Sequence, residues 1–260
     1  MTTFDKGPSA KLTKIFDAVP DFSKWKSDLW FDWGPVFYRG RLDGSAKVLV
    51  IASDPGPTER IAGRTLVGDA GQRVQGFLDK LGLTKSYTCL NASPYAIVPS
   101  SAAHPVNPLP IVDDPAVVAW RNQLFSAVCT AKLRAVVAFG TNAHHAVDGW
   151  TVPAGVPVHK VRHPSAPGDA ATLAEWAPAV TALRAVVTKD TGGSASGPNY
   201  SLTGFVPGDW KRIPAADLPF GVPAWLGDDA KNRAKTPAQF NCCWRDPTDT
   251  MRRMVWEVGG

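Results

Sequence analysis

Four short apolar segments stand out along the chain, and each has the composition of a buried β-strand. They cover residues 47–52, 87–91, 134–140 and 157–162 and are rich in Val, Ile and Leu or contain an aromatic residue. Apolar runs of this length, bounded by polar residues, are typical of strands that are covered on both faces. The pattern therefore predicts a central sheet of four strands.

The segments between these strands show helical periodicity. Their apolar residues recur at spacings of three and four and so share one face of a helix. The three predicted faces comprise Val74, Phe77, Leu78 and Leu81; Val117, Trp120, Leu124 and Val128; and Leu173, Trp176, Val180, Leu183 and Val187. Because strands that alternate with helices form right-handed βαβ units, we expect an α/β fold: a three-layer α/β/α sandwich with a four-stranded parallel central sheet.

Length and composition favour one domain with an appendage. The chain has 260 residues, of which 44% are hydrophobic, enough to bury a substantial core. We expect residues 1–190 to form the α/β domain and residues 191–260 to be a C-terminal extension packed on it. The aromatic residues within 1–46 are expected to belong to a helix and a cap in the core. The extension is rich in aromatic residues, which would be unusual in a disordered segment.

Polar side chains follow the predicted strands at the point where each strand ends. Asp54 follows the first strand, Asn91 ends the second, and His163 follows the fourth. Taken singly, an Asp before Pro is often a turn residue, an Asn often a cap, and a lone His often a surface group. Since parallel strands end at one edge of the sheet, the three together indicate a single site at that edge.

The residues around these positions resemble motifs of the uracil-DNA glycosylase superfamily. The stretch VLVIASDPGP resembles motif A of these enzymes, and VRHPSAPG resembles their motif B, H-P-S-x. Between them, AGRTLVGDAGQRVQGFL is similar to the G-R-P-F-V-G-x-x-G segment of the thermostable, iron–sulfur branch. The resemblance covers roughly residues 46–188, in the expected order. It implies a DNA glycosylase that acts in base excision repair.

Two departures from the iron–sulfur branch change what the resemblance implies. Tyr95 stands where that branch has a cysteine ligand of its cluster, and no other cysteine is suitably placed, so we expect no cluster and no cofactor. Asp54 matches the acid of the classical branch, where the iron–sulfur branch has alanine. The chain thus resembles a less common, cluster-free family with an Asp in motif A and a C-terminal extension.

The resemblance assigns roles to individual residues. Asp54 and His163 are expected to be catalytic: Asp54 would stabilise the oxocarbenium-like sugar and orient water, and His163 would donate a hydrogen bond to uracil O2. Asn91 would read the uracil edge, because its amide offers an acceptor for N3–H and a donor for O4. The remaining expected substrate-binding residues are Ser53, Gly56, Leu66 and Ser165.

Two of these positions differ from the family pattern. Leu66 stands where the family usually has a stacking Phe, so it could stack on the flipped base or simply pack in the core. Gly56 stands where classical enzymes have a Tyr that collides with a C5 methyl group. The missing ring predicts tolerance of 5-substituted uracils such as hydroxymethyluracil.

Charge points to a polyanionic partner. The chain carries a formal net charge of +5 and a pI near 9.1. Candidate phosphate contacts near the motifs are Arg60, Arg64, Lys160 and Arg162, although any one of them could be ordinary surface charge. Motif B lacks the large apolar residue that fills the hole left by a flipped base, so single-stranded DNA is expected to be preferred over duplex. The basic tail could add DNA surface or a contact in a homodimer.

Other functions are less well supported by the sequence. Neither GxGxxG nor a P-loop follows the first strand, which argues against an enzyme of free nucleotides. The adjacent His144 and His145 point about 100° apart on a helix and have no carboxylate at ligand spacing, which argues against a metal site. No apolar run long enough for a membrane span or a signal peptide is present, so we expect a cytoplasmic protein. The four cysteines show no CxxC spacing, and the adjacent Cys242 and Cys243 are poorly placed to pair with each other, so we expect free thiols. A non-catalytic or covalent binder of uracil or abasic DNA from the same superfamily remains the alternative.

Overall fold

The computed structural model describes residues 7–195, 197 and 199–218, together with the backbone of two short strands, Trp244–Arg245 and Met254–Val255. These two strands pair with each other in antiparallel orientation. Within the described residues, no helix is both long enough and apolar enough to span a bilayer.

Five strands form the central sheet. They are β1 (Tyr38–Gly40), β2 (Val48–Ala52), β3 (Tyr87–Asn91), β4 (Ala135–Phe139) and β5 (Val158–Val161), arranged in the order β1-β3-β2-β4-β5. The last four are parallel and coincide with the predicted strands. The predicted count of four is wrong, because β1 adds an antiparallel edge strand beside β3.

Seven helices accompany the sheet. They are α1 (Ala10–Asp17), α2 (Pro57–Ala62), α3 (Asp69–Lys80), α4 (Leu109–Val112), α5 (Pro115–Val128), α6 (Thr141–Asp148) and α7 (Asp169–Val186), as counted within the described residues. The three helical faces predicted from periodicity belong to α3, α5 and α7. Every residue predicted on those faces is buried.

Alternation along the strands divides the core into two clusters. In β2, Val48, Val50 and Ala52 face one cluster, whereas Leu49 and Ile51 face the other. The first cluster receives the apolar faces of α3 and α7, and the second receives those of α1, α5 and α6. Helices therefore cover both faces of the sheet, and in folds of this kind ligands bind at the carboxyl ends of the parallel strands.

The N-terminal aromatic residues do not all enter the core. Tyr38 is buried and Phe16 stacks on Phe37, with ring centroids 4.5 Å apart. Trp30 and Trp33, in contrast, keep part of their surface exposed. The expectation that the aromatic residues of this region lie in the core is therefore wrong for these two.

Residues 199–218 wrap from α7 across α3 to the edge of the sheet. Phe205 packs edge-on against Trp176 at 5.4 Å, and Asp209 forms an ion pair with Lys80 at 3.0 Å. The buried carboxylate of Asp217 then accepts a hydrogen bond from Arg39 of β1 at 3.0 Å. The other residues expected in the extension, 219–260, lie outside the described side chains.

Candidate active site

Three predicted site residues lie on one edge of the sheet. Ala52 of β2 pairs with Asn91 of β3, so Asp54 and Asn91 follow neighbouring strand ends. The backbone N–H of Ser93 donates to the carbonyl of Ser53 at 3.0 Å and holds the two loops together beyond the strands. His163 follows β5, two strands away from β2, and β4 lies between them. The carboxyl ends of the parallel strands therefore gather the three side chains.

Asp54 has an unusual environment for a carboxylate. Its Oδ2 accepts a hydrogen bond from the backbone N–H of Ile97 at 2.9 Å. The residue keeps some solvent-accessible surface, yet loss of hydration around the carboxyl group raises the pKa of Asp54 to about 6, and this outweighs the hydrogen bonds from Ile97 and Ser53. Asp54 is thus ionised at neutral pH and weakly hydrated, the state that stabilises a nearby positive charge most strongly.

Asn91 ends β3 and is 6% exposed. Its amide nitrogen, Nδ2, is shielded from solvent and has no hydrogen-bond partner among the described residues. A buried donor without a partner costs free energy, on the order of 1–3 kcal/mol. Such a group at the end of a strand is therefore available to a ligand that offers an acceptor.

The imidazole of His163 is held in one tautomer. The backbone N–H of Ser165 donates to its Nδ1 at 3.1 Å, so Nδ1 is the acceptor and Nε2 carries the proton. Burial lowers the pKa of His163 to about 4, and the ring is therefore neutral at physiological pH. Ser165 contributes through its backbone, and its side chain is exposed.

Gly140 makes room for this ring. A Cβ at this position would lie 2.8 Å from Cβ of His163, and the backbone φ of 87° is one that residues with side chains rarely adopt. Two residues further on, Nδ2 of Asn142 donates to Oγ of Ser53 at 2.7 Å. The junction of β4 and α6 thus touches both the motif-A loop and the motif-B histidine.

Glu59 ties the motif-A loop to the following turn. This carboxylate is 7% exposed and accepts backbone N–H groups from Gly56 at 3.0 Å, Val67 at 2.8 Å and Gly68 at 2.7 Å. Its contact with Gly56 closes the first turn of α2, which begins at Pro57. A Cβ at Gly56 would lie 2.7 Å from Glu59 Oε2, so the position is shaped for glycine.

Leu66 lies in that same turn. It has φ of 52°, a conformation that is strained for a branched side chain, and a Cβ at Gly71 would overlap its carbonyl oxygen. Its side chain is 5% exposed and packs in the cluster that faces α3 and α7. Of the two interpretations of Leu66, core packing fits this placement, and stacking on a base remains a prediction.

An aromatic cluster anchors the loop that reaches Asp54. Tyr95, which stands where the iron–sulfur branch has a cysteine, packs against Phe22 and Phe31 with ring centroids 4.9 Å and 5.1 Å away. Two residues later, Ile97 forms the hydrogen bond to Asp54. Ring packing at Tyr95 therefore supports the loop mechanically.

The four candidate phosphate contacts are all engaged with neighbours. The guanidinium of Arg60 lies 5.2 Å from the ring centroid of Trp33, and Arg64 donates to the Tyr38 hydroxyl at 3.1 Å. Lys160 forms an ion pair with Asp148, and Arg162 donates to the carbonyl of Pro167 at 2.9 Å. Arg60 and Arg64 follow motif A, whereas Arg162 shapes the motif-B loop. Arg60 and Lys160 are exposed to solvent, and Arg64 and Arg162 are partly exposed.

Several residues that build the site were missed by sequence reasoning. Glu59, Gly140 and Asn142 act as described above, and Arg73 of α3 donates to the carbonyl of Pro164 at 2.6 Å. Gly140 and Asn142 carried a usable signal, because Gly140 ends a predicted strand and Asn142 follows it by two residues. Glu59 and Arg73 carried none. The partners of Glu59 are backbone groups and those of Arg73 include the Asp169 carboxylate, and the tertiary fold alone brings these groups together.

The fold and the candidate site define an α/β protein with polar side chains at the carboxyl ends of its parallel strands. The family model of the Uracil DNA glycosylase superfamily matches residues 39–185, more than half of the chain. The chain therefore belongs to the uracil-DNA glycosylase superfamily, as the motifs predicted.

Two other comparisons add little to this assignment. No curated protein matches the chain. Among solved structures, a crystal structure of wild-type UNG from Nitratifractor salsuginis is similar, with 11% identity, a TM-score of 0.33, and coverage of 71% of this chain and 100% of that one. A likeness at that level supports no argument about the site or its substrate.

Proposed function

We propose that this chain is a monofunctional DNA glycosylase that hydrolyses the N-glycosidic bond of uracil in DNA, as a step of base excision repair. The observation that carries the proposal is the buried, unpaired Nδ2 of Asn91 at the sheet edge that also holds Asp54 and His163. A donor without a partner beside a poorly hydrated acid and a neutral histidine fits the needs of base excision.

Cleavage of an N-glycosidic bond creates charge at two places. Positive charge develops on the deoxyribose ring and negative charge on the departing base. The Asp54 carboxylate, ionised above pH 6, stabilises the sugar cation and orients the attacking water. Its weak hydration strengthens this interaction, because little water competes for the charge.

His163 acts on the departing base. With Nδ1 occupied by the N–H of Ser165, Nε2–H is the group that donates to uracil O2 as negative charge builds there. The ring needs no positive charge for this role, in agreement with the lowered pKa of His163, about 4.

Asn91 supplies discrimination between bases. Its Nδ2 donates to uracil O4, and its Oδ1 accepts from N3–H. Cytosine presents the reverse pattern of donor and acceptor at these two positions, so binding it would leave the buried amide donor unsatisfied. The resulting penalty, on the order of 1–3 kcal/mol, favours uracil.

The loops suggest two features of the substrate range. Motif B continues with Ser165, Ala166 and Pro167, none of which can fill the hole that a flipped base leaves in a duplex. Single-stranded DNA, whose bases are less costly to unstack, is therefore the preferred substrate. Gly56 places no side chain against C5 of the base, which admits 5-substituted uracils.

The proposal is tested with an end-labelled oligonucleotide that contains one uracil. After incubation with the protein, alkali cleaves the strand wherever a free abasic site was formed. We expect cleavage by the wild type, and Asp54→Ala and Asn91→Ala should each reduce the rate by more than about tenfold, a loss of at least ~1.4 kcal/mol of transition-state stabilisation. Asn122→Ala, at a partly buried asparagine of α5, is the matched control and should leave the rate unchanged.

Two other outcomes would overturn the proposal. A complex of protein and oligonucleotide that survives denaturation would identify a covalent binder of DNA. Binding without cleavage, at all pH values between 5 and 9, would identify a non-catalytic binder.

A further inference from the structure

Two tryptophans form a stacked pair at the surface beside the candidate site. The rings of Trp30 and Trp33 are nearly parallel, with an interplanar angle of 13° and centroids 5.3 Å apart. Both side chains remain partly exposed, although tryptophan is among the most apolar residues. Core packing does not account for a parallel aromatic pair that faces solvent.

The pair is attached to the loop that holds Asp54. The backbone N–H of Trp30 donates to the carbonyl of Ala96 at 2.9 Å. The next residue, Ile97, donates its own N–H to the Asp54 carboxylate at 2.9 Å. A single residue step along this loop thus separates the contact to the tryptophan pair from the contact to Asp54.

A second connection runs through α2. The guanidinium of Arg60 lies 5.2 Å from the ring centroid of Trp33, and the backbone N–H of Arg60 donates to the carbonyl of Gly56 at 3.2 Å. Gly56 lies two residues after Asp54. The pair is therefore fixed to the site from two sides and lies along its rim.

The chemistry of this surface matches unpaired nucleic-acid bases. Exposed aromatic rings next to a cationic side chain bind single strands, since every base has a π-face that can stack and the cation attracts the phosphate. Arg60 supplies the positive charge. The exposed carboxylate of Asp32, on the same turn, would repel phosphate, so the tryptophan side of the surface suits bases better than backbone.

We propose that Trp30 and Trp33 form a stacking platform for an unpaired base that neighbours the target nucleotide in single-stranded DNA, with Arg60 contacting the adjacent phosphate. The inference rests on the proposed function, because it takes the target nucleotide to lie against Asp54. The inference goes beyond the proposed function by naming what binds to this surface, an unpaired base. It also explains a preference for single strands, because in a duplex the neighbouring base is already stacked within the helix.

The test measures binding of a labelled oligothymidylate, which contains no uracil, by fluorescence anisotropy. Trp30→Leu and Trp33→Leu should each weaken binding at least about fivefold, the loss expected for one base stack, and Trp33→Phe should retain most of the affinity. Arg60→Gln should weaken binding and reduce its dependence on salt. Arg134→Gln, at an exposed arginine before β4, is the matched control and should bind like the wild type. Circular dichroism and thermal melting establish that each variant is folded.

The outcomes separate this inference from the proposed function. Wild-type affinity in both leucine variants overturns the platform, even if uracil is excised normally. An equal loss of affinity for blunt duplex and for the single strand overturns it as well, since a duplex offers no free base face. A change in sedimentation of the leucine variants would show that the surface joins two copies of the chain and would also overturn it. If the wild type binds oligothymidylate through the tryptophans but excises no uracil, the proposed function fails alone.

Discussion

The backbone N–H of Ser165 donates to Nδ1 of His163 over 3.1 Å, and this one contact sets which imidazole nitrogen carries the proton. Ser165→Ala keeps the N–H, whereas Ser165→Pro removes it. We therefore expect Ser165→Ala to excise uracil at nearly the wild-type rate and Ser165→Pro to lose about tenfold or more, the effect of a misdirected hydrogen-bond donor.

The tautomer itself is observable by nitrogen NMR of the histidine side chains. The wild type should show His163 with a protonated Nε2 and an unprotonated Nδ1 at pH 7. A protonated Nδ1, or an equal loss of activity in the alanine and proline variants, would contradict the role given to the Ser165 backbone.

The raised pKa of Asp54 predicts how kcat/KM for uracil excision falls at acid pH. Loss of hydration raises the pKa of Asp54 to about 6, and the carboxylate is the active form. The value of kcat/KM should therefore fall about tenfold per pH unit below pH 6. His163 titrates lower, near pH 4, and should not contribute to this decrease. A profile that is flat from pH 5 to pH 8 would contradict the assignment of Asp54 as the ionised group.

Asp54 should also lower the stability of the folded protein at neutral pH. Because the folded-state pKa of Asp54 is raised above its ordinary value of 3.8, the stability that this group contributes is fully present below pH 3.8 and is lost as the pH rises through about 6. Asp54→Asn avoids the loss and can still accept the hydrogen bond from Ile97. The variant should therefore be inactive and melt at a higher temperature than the wild type at pH 8.

The same comparison at lower pH is the control. The difference in melting temperature between Asp54→Asn and the wild type should stay constant from pH 8 down to about pH 6 and then shrink towards pH 4, where folded wild-type protein carries a protonated Asp54. A difference that does not change with pH would mean that the asparagine acts through packing and not through the charge.

The absence of a side chain at Gly56 predicts that the protein accepts substituents at C5 of the base. A Cβ here would lie 2.7 Å from Glu59 Oε2, so any side chain disturbs the loop, and Gly56→Ala measures that disturbance alone. We expect the alanine variant to lose activity equally on uracil and on hydroxymethyluracil. Gly56→Tyr should lose at least about tenfold more on hydroxymethyluracil, since only the ring crowds C5. The tolerance is refuted if the wild type and Gly56→Tyr are equally inactive on that base.

Much of the fold follows from short-range patterns. The four parallel strands and the long helices α3, α5 and α7 have clear apolar patterns in the sequence. The structure contains these elements at the predicted positions. Strand β1 could not be found in this way. It has three residues, and the central one, Arg39, is a fully buried charge whose carboxylate partner, Asp217, is 178 positions away in the sequence. A buried arginine is stable only with such a partner, and the sequence alone does not reveal it.

The candidate site also has features that the sequence predicts and features that it does not. Asp54, Asn91 and His163 were predictable, because parallel strands end at one edge and the side chains that follow them must meet there. The raised pKa of Asp54 was not, since the loss of hydration that causes it depends on how the tertiary fold packs around the carboxyl group. Trp30 and Trp33 were expected in the core from their residue type alone. Their partly exposed position is a property of the tertiary fold, in which the backbone N–H of Trp30 donates to the carbonyl of Ala96, and no local pattern indicates it.

The most direct test of the account is the identity of the product released from uracil-containing DNA. Single-stranded oligonucleotide with one uracil is incubated with excess protein at pH 7.5, and the small-molecule fraction and the strand are both weighed by mass spectrometry. The account predicts free uracil and an intact strand that has lost one base, with neither product formed by Asp54→Asn. An unchanged strand with the wild type, or a strand that gains the mass of the protein, would contradict it.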